Sequence, residues 1–198
     1  MGRVEAPTDR RWVFPQDYDL PQLLDTFDKL RLLTDPLSSQ VTNAVHAMGR
    51  AQDQEILDGI FGTNYTGNNG STSTAFGASQ VVGVNQGAAS ATNLTVAKLR
   101  AAKKILMANN VNLDSEEVYC AIDADAHDSL LAEAQVISTD FNSKPVLVDG
   151  RVREFLGIKF IHTELLSTGT DDQSGTSTQI PMWVKSGVYM GMWNEMQT

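Results

Sequence analysis

The chain has a single cysteine, Cys120, in 198 residues, so no internal disulfide can brace it, and the framework on which small secreted domains rely is excluded. A reducing compartment, the cytoplasm of the cell that makes it, fits that cysteine usage. Nor is there a long apolar run. Nothing approaches the roughly 18 residues of a membrane span, and the opening MGRVEAPTDRR has no apolar stretch of the kind a secretory signal carries. Positive charge is scarce. Fifteen basic residues face twenty-four acidic ones, a formal net charge of -9, which disfavours nonspecific binding to a phosphate backbone. Charge of either sign is missing altogether from Gly62 to Ala97, a stretch rich in Gly, Asn, Ser and Thr.

What is present suffices for a globular core. With 41% apolar residues and 20% charged ones the composition excludes wholesale disorder. A chain of this length should bury about 70% of its unfolded surface.

The aromatics and Val of RRWVFPQDY, Arg10 to Tyr18, suggest a short strand that Pro15 keeps at a sheet edge. Leu20 to Leu33 spaces Leu23, Leu24, Phe27, Leu30 and Leu33 like an amphipathic helix or turn. Asp35 before Pro36 is a helix start, a capping acceptor followed by a residue preset for the first turn. From it, Val41, Val45, Met48, Ile56 and Ile60 recur at helical spacing to about Phe61, a helix roughly 36 Å long. Gly49 in its middle costs about 1 kcal/mol against alanine, which points to a close-packed neighbour.

The uncharged stretch reads as loop, with a short strand at Gln80 to Val84. Two readings of it stand: a mobile solvent loop, or a segment ordered against a partner subunit that buries Tyr65, Phe76 and Val81 to Val84. Thr95 caps the next helix, in which Leu99, Ala102, Ile105 and Leu106 form one face while Lys98, Arg100, Lys103 and Lys104 cover the other, and Asn109 and Asn110 end it. That basic run reads as a solvated face rather than a phosphate site. Glu117 to Ile122 is a buried strand, and Asp123 caps a helix through about Ala134. Pro145 to Val148, the turn Asp149-Gly150 and a strand over Gly157 to Thr163 follow, then a polar loop from Ser167 to Gln179 and a closing hairpin turning at Lys185-Ser186-Gly187. Helices and strands mix without strict alternation, which argues an α+β fold.

The chemistry-bearing residues do not compose a catalytic constellation. His46 sits beside the apolar stripe of the long helix. His127 stands in DADAHD with Asp123, Asp125 and Asp128, but the glycine and distal glutamate of a calcium loop are missing, and a helix cap with an acidic first turn explains the same letters. His162 and Glu164 end a strand. Cys120, between Tyr119 and Ala121, is placed as an inert buried thiol. An enzyme alternative, a metal-assisted hydrolase using His127 or His162 with nearby carboxylates, stays open. So does a small-ligand module built on Trp183, Tyr189 and Trp193.

Several segments together resemble a known family. RRWVFPQDYDLPQLLDTFDKLRLLTDP, NAVHAMGRAQDQEILDGIFGTNYTG, LTVAKLRAAKKILMANNV, VYCAIDADAHDSLL, LVDGRVREFLGIKFIHTELL and PMWVKSGVYMGMW, in this order, resemble a tailed-bacteriophage major capsid protein of the Hong Kong 97 type. The resemblance implies a long spine helix with peripheral and axial domains. Residues 1–35 would be an N-terminal segment and the return of the extended loop. Residues 36–93 would hold the spine helix and the charge-free loop, 94–166 an axial-domain-like α+β region, and 167–198 a loop and closing hairpin. It further implies a structural, non-enzymatic subunit of an icosahedral head, found in the virion, with no catalytic, metal or cofactor residues. The implied partners are copies of itself in pentamers and hexamers, a scaffolding or portal protein, and enclosed double-stranded DNA held without sequence-specific binding. Members of this type carry more chain at both ends, so the resemblance implies a truncated or short member. A cellular nanocompartment shell of the same fold is the neighbouring alternative.

Overall fold

The computed structural model describes residues 10–21, 36–137, 150–170 and 175–193. The chain divides into two compact units, one made of Met1–Ala75 with Met190–Thr198, the other of Phe76–Tyr189.

In the first unit the main element is helix α1, Pro36–Phe61, 26 residues as the Pro36 start and apolar spacing predict. Of its described side chains only Leu57 is buried, while Val41 and Val45 are exposed. Among the described residues the neighbour expected at Gly49 is missing: a methyl group there would meet none of them within 4 Å. After α1, β1 (Asn64–Thr66) and β2 (Thr72–Thr74) form an antiparallel hairpin inside the stretch read as loop. β-Branched threonines suit an extended ladder.

The aromatic segment lies along this hairpin as a strap. It is one bridge rather than the expected strand: Trp12 N–H donates to the Tyr65 carbonyl at 2.9 Å, and the Trp12 indole donates to the Gly67 carbonyl at 2.9 Å. Pro15, lacking an N–H, cannot continue a ladder. The Phe14 ring meets Tyr65 edge-on at 5.4 Å, and the Tyr18 hydroxyl donates to Glu55 of α1 at 2.8 Å. The helix expected over Leu20 to Leu33 lies outside the described residues beyond Pro21, as does the Asp35 cap.

The second unit is built on a four-stranded mixed sheet of order β4-β5-β3-β8. β3 is Val118–Ile122, β4 Glu154–Phe155, β5 Ile158–His162 and β8 Met182–Val184. β3 runs parallel to β5 with Val118 opposite Ile158 and Cys120 opposite Phe160, and antiparallel to β8 with Cys120 opposite Met182. Strand alternation then puts Val118, Cys120, Ile122 and Ile158 on one face. There they form a single core cluster with Leu94, Val96 and Leu99, with Ala126 and Leu130, and with Val136. Leu99, Leu130 and Ile158 are 0–1% exposed, each worth about 1.5–3 kcal/mol in apolar burial.

Helices α2 (Val96–Ala108), α3 (Ala124–Ala132) and α4 (Ala134–Ile137) supply those contacts. Thr95 caps α2 by accepting from Lys98 N–H, and Asp123 caps α3 by accepting from Ala126 N–H at 2.8 Å, both as read from the sequence. α2 closes with Asn110 at φ 60°, the left-handed position after the cap. Val111 N–H reaches Leu106 O and Asn110 N–H reaches Met107 O, so the last carbonyls are satisfied. α3 stops earlier than expected because Glu133 is extended, and α4 is a separate turn.

Three expectations are corrected here. Gln80 to Val84 forms no strand: Ala78–Gln80 is a 3-10 turn, and Val84 O accepts from the Thr92 N–H and hydroxyl, closing a loop. Gly87 at φ 83° lets that loop approach α2, where a Cβ would stand 2.7 Å from that of Ala97. The polar loop from Ser167 to Gln179 contains a second hairpin, β6 (Thr168–Thr170) with β7 (Thr176–Thr178). The closing hairpin is absent among the described residues. β8 pairs with β3 instead, and Lys185–Gly187 is a 3-10 turn with no strand from 188 to 193. Pro145 to Val148 and Asp149 lie outside the described residues. The mixture of elements is α+β, as expected.

Candidate functional site

The histidines are placed apart from any metal-like grouping. His46 is exposed on α1. His127 is half-buried on α3, and its Nε2 accepts from Val152 N–H at 3.3 Å, tying the helix to the chain ahead of β4. Asp123 is occupied as a cap, while Asp125 and Asp128 stand exposed three positions apart on α3. His162 Nε2 lies 3.0 Å from Glu164 Oε1, an oxygen that also accepts from Ala124 N–H at 2.9 Å, at the start of α3. Among the described residues no group of three or more His, Cys, Asp or Glu could hold a metal ion, so the hydrolase alternative gains no support. Cys120 is fully buried, and that burial pushes its thiol up to about 12, which leaves it unreactive at neutral pH.

The face of the sheet opposite the core carries a polar and aromatic network. Glu117 accepts from the Tyr119 hydroxyl at 2.7 Å and pairs with Lys159, while Lys185 lies 3.8 Å away. The Lys159 bond, then the Tyr119 bond, holds the Glu117 carboxyl down to about 2. Lys159 stands 5.7 Å from the Tyr119 ring centre, and Tyr119 stacks on Trp183 at 6.2 Å. The aromatic trio proposed as a ligand module is thereby divided: Trp183 is taken up by Tyr119, and Tyr189 and Trp193 are exposed.

The basic run of α2 separates into two roles. Lys98 donates to the carbonyls of Thr92 and Asn93, and Lys103 donates to the carbonyl of Leu156 at 2.8 Å. Arg100 and Lys104 point outward and are exposed. The reading as a solvated face therefore holds for two of the four. Between the helix and the β4–β5 turn lies a groove of about 480 Å³ lined by Arg100, Lys103, Lys104, Met107, Ala108 and Leu156. Met107 and Leu156 are exposed apolar side chains, at 60% and 38%. Leu156 holds φ 55° and Gly157 φ 73°, the two central positions of a two-residue hairpin turn in which Phe155 pairs with Ile158. Sequence reading missed this turn. Its signal was the Leu156-Gly157 pair between apolar residues, with a leucine where asparagine is the usual choice.

No arrangement among the described residues composes a catalytic centre. Exposed apolar side chains among the described residues gather on the aromatic strap, on α1 at Val41 and Val45, and in the groove on α2. The sequence matches the phage capsid protein family over residues 3–198, and the chain belongs to that family. It is a structural capsid subunit. No curated protein and no solved structure matches the chain.

Proposed function

We propose that this subunit builds an icosahedral bacteriophage head of the Hong Kong 97 type, self-assembling through pentamers and hexamers around double-stranded DNA, which it encloses without reading sequence. The carrying observation is the family match over residues 3–198. The surfaces are consistent with it. A 26-residue helix with one buried described side chain, and a strap exposing Val13, Phe14 and Tyr18, leave apolar area for neighbouring subunits to cover. A net charge of -9 suits a wall that does not adhere to its genome.

In this reading residues 36–93 serve as the peripheral domain with α1 as its spine, 1–35 return from the extended loop, 94–166 act as the axial domain, and 167–198 close the chain. No residue performs catalysis, and the protein is made in the bacterial host cytoplasm before entering the virion. Scaffolding and portal proteins are the further partners.

Cryo-electron microscopy of particles formed when the chain is expressed in bacteria tests this. Icosahedral shells of pentamers and hexamers, with α1 lying along each subunit, are expected. Helical filaments or amorphous aggregates would overturn the reading. Shells that capture a cargo protein through a short peptide and exclude DNA would move it to a nanocompartment.

A further inference from the structure

We infer that the groove on α2, carrying Arg100 and Lys104 and floored by Met107 and Leu156, receives the acidic outer face of α3, Asp125 and Asp128, from a second copy of this chain. This rests on the capsid reading above and names the surfaces that would join one subunit to the next.

The first support is charge. Each copy carries a net charge of -9, so copies repel unless opposite charges are brought face to face at the contact. The run from Lys98 to Lys104 is the one dense positive cluster in the sequence. Two of its cations are spent on carbonyl oxygens of the same chain. Arg100 and Lys104, four positions apart on one stripe of α2, have no carboxylate partner among the described residues. On α3, Asp125 and Asp128 share a stripe by the same geometry and likewise lack a cation partner among the described residues.

The second support is topological. Both stripes belong to the same compact unit, and both helices turn their apolar sides into the same core cluster, so their charged sides face away from it. A subunit with a positive patch and a separate negative patch can make a heterologous contact. In such a contact one patch meets the other patch of the next copy, and repetition closes a ring. A two-fold contact pairing like with like would set cation against cation.

The third support is strain. Leu156 occupies the left-handed region, which a leucine enters at a cost. The price is not repaid by burial, since the side chain is exposed beside Met107. Held there by Lys103 Nζ on its carbonyl, Leu156 offers an apolar contact in the groove that Arg100 and Lys104 also line. Apolar centre with charged rim is the usual anatomy of an association surface.

The test is the threshold concentration for assembly of the full chain, read by sedimentation velocity. Arg100→Glu with Lys104→Glu, or Asp125→Lys with Asp128→Lys, should each raise it about tenfold or more. The quadruple variant, with both faces reversed, should return it to within about threefold of the parent, because complementarity is restored. Rescue separates a contact from misfolding, and unchanged circular dichroism checks the fold of each double variant. If one will not fold, the neutral pair Arg100→Gln with Lys104→Gln replaces it, and a raised threshold is still expected. An unchanged threshold in both double variants, or no rescue in the quadruple variant, overturns the inference while leaving the capsid reading standing. So does normal assembly of the first pair with loss of retained DNA, which would make the groove a nucleic-acid contact. A parent chain that never assembles would instead overturn the capsid reading, and this inference with it.

Discussion

Lys103 Nζ donates to the carbonyl oxygen of Leu156 at 2.8 Å, clamping helix α2 onto a hairpin turn 53 positions away in sequence. The clamp holds a leucine in a backbone conformation that asparagine or glycine would adopt more readily, so the folded subunit is less stable than this turn allows. Leu156→Asn is expected to stabilise the isolated subunit by about 1 kcal/mol, raising its melting temperature by about 2–4 °C. The same change should raise the assembly threshold, since it removes an exposed apolar contact. Calorimetry and sedimentation on one variant read both effects, and a less stable variant would refute the account of the turn.

Gly49 offers a second separation of subunit from assembly. With no described residue within 4 Å of a methyl group there, Gly49→Ala should stabilise α1 in the isolated subunit by about 1 kcal/mol. A higher denaturant midpoint at unchanged slope is the expected signature. Destabilisation would mean that the helix is packed at this position.

Glu117 sets an acid-side dependence. Its carboxyl is lowered from an ordinary 4.5 to about 2 by the Lys159 and Tyr119 bonds. A depressed folded-state value means that the unfolded chain binds the proton more readily. The stabilisation is therefore fully present above about pH 4.5 and is lost as pH falls toward 2. Carboxyl NMR should place the Glu117 midpoint well below those of exposed glutamates. In Glu117→Gln, the part of the stability loss between pH 4.5 and 2 that belongs to this group should vanish.

Cys120 should ignore thiol reagents in the native protein. It is fully buried, with its thiol pushed up to about 12, so labelling at neutral pH should follow unfolding rather than the bulk thiolate fraction. Cys120→Ser, which buries a hydroxyl in the core cluster, should cost about 1–3 kcal/mol by denaturant titration. Rapid native labelling would contradict the placement of β3.

Local chemistry made much of this fold legible in the sequence. Pro36 and the spacing of Val41, Val45, Met48, Ile56 and Ile60 mark α1, and the Thr95 and Asp123 side chains cap their helices where the pattern places them. Such signals act within a turn or two of chain. What stayed illegible depends on distant partners. Gln80 to Val84 has strand-forming valines but joins no ladder, whereas Thr168–Thr170 and Thr176–Thr178 look like polar loop and form a ladder because they meet each other. The segment around Trp183 reads as half of a local hairpin, but the edge of β3 opposite β5 claims its strand. The contact surfaces were the least legible. Lys98 and Lys103 read like Arg100 and Lys104 until the carbonyl of Thr92, just ahead of the helix, and that of Leu156, far along the chain, divide the four.

The central claim, that this chain is a structural subunit which assembles with copies of itself, is tested most directly by sedimentation velocity of the purified protein over a wide concentration range, with the fast fraction imaged by electron microscopy. The account predicts a threshold above which a discrete fast-sedimenting boundary appears and grows with concentration, composed of closed shells. A single slow boundary of monomers at every concentration would contradict it.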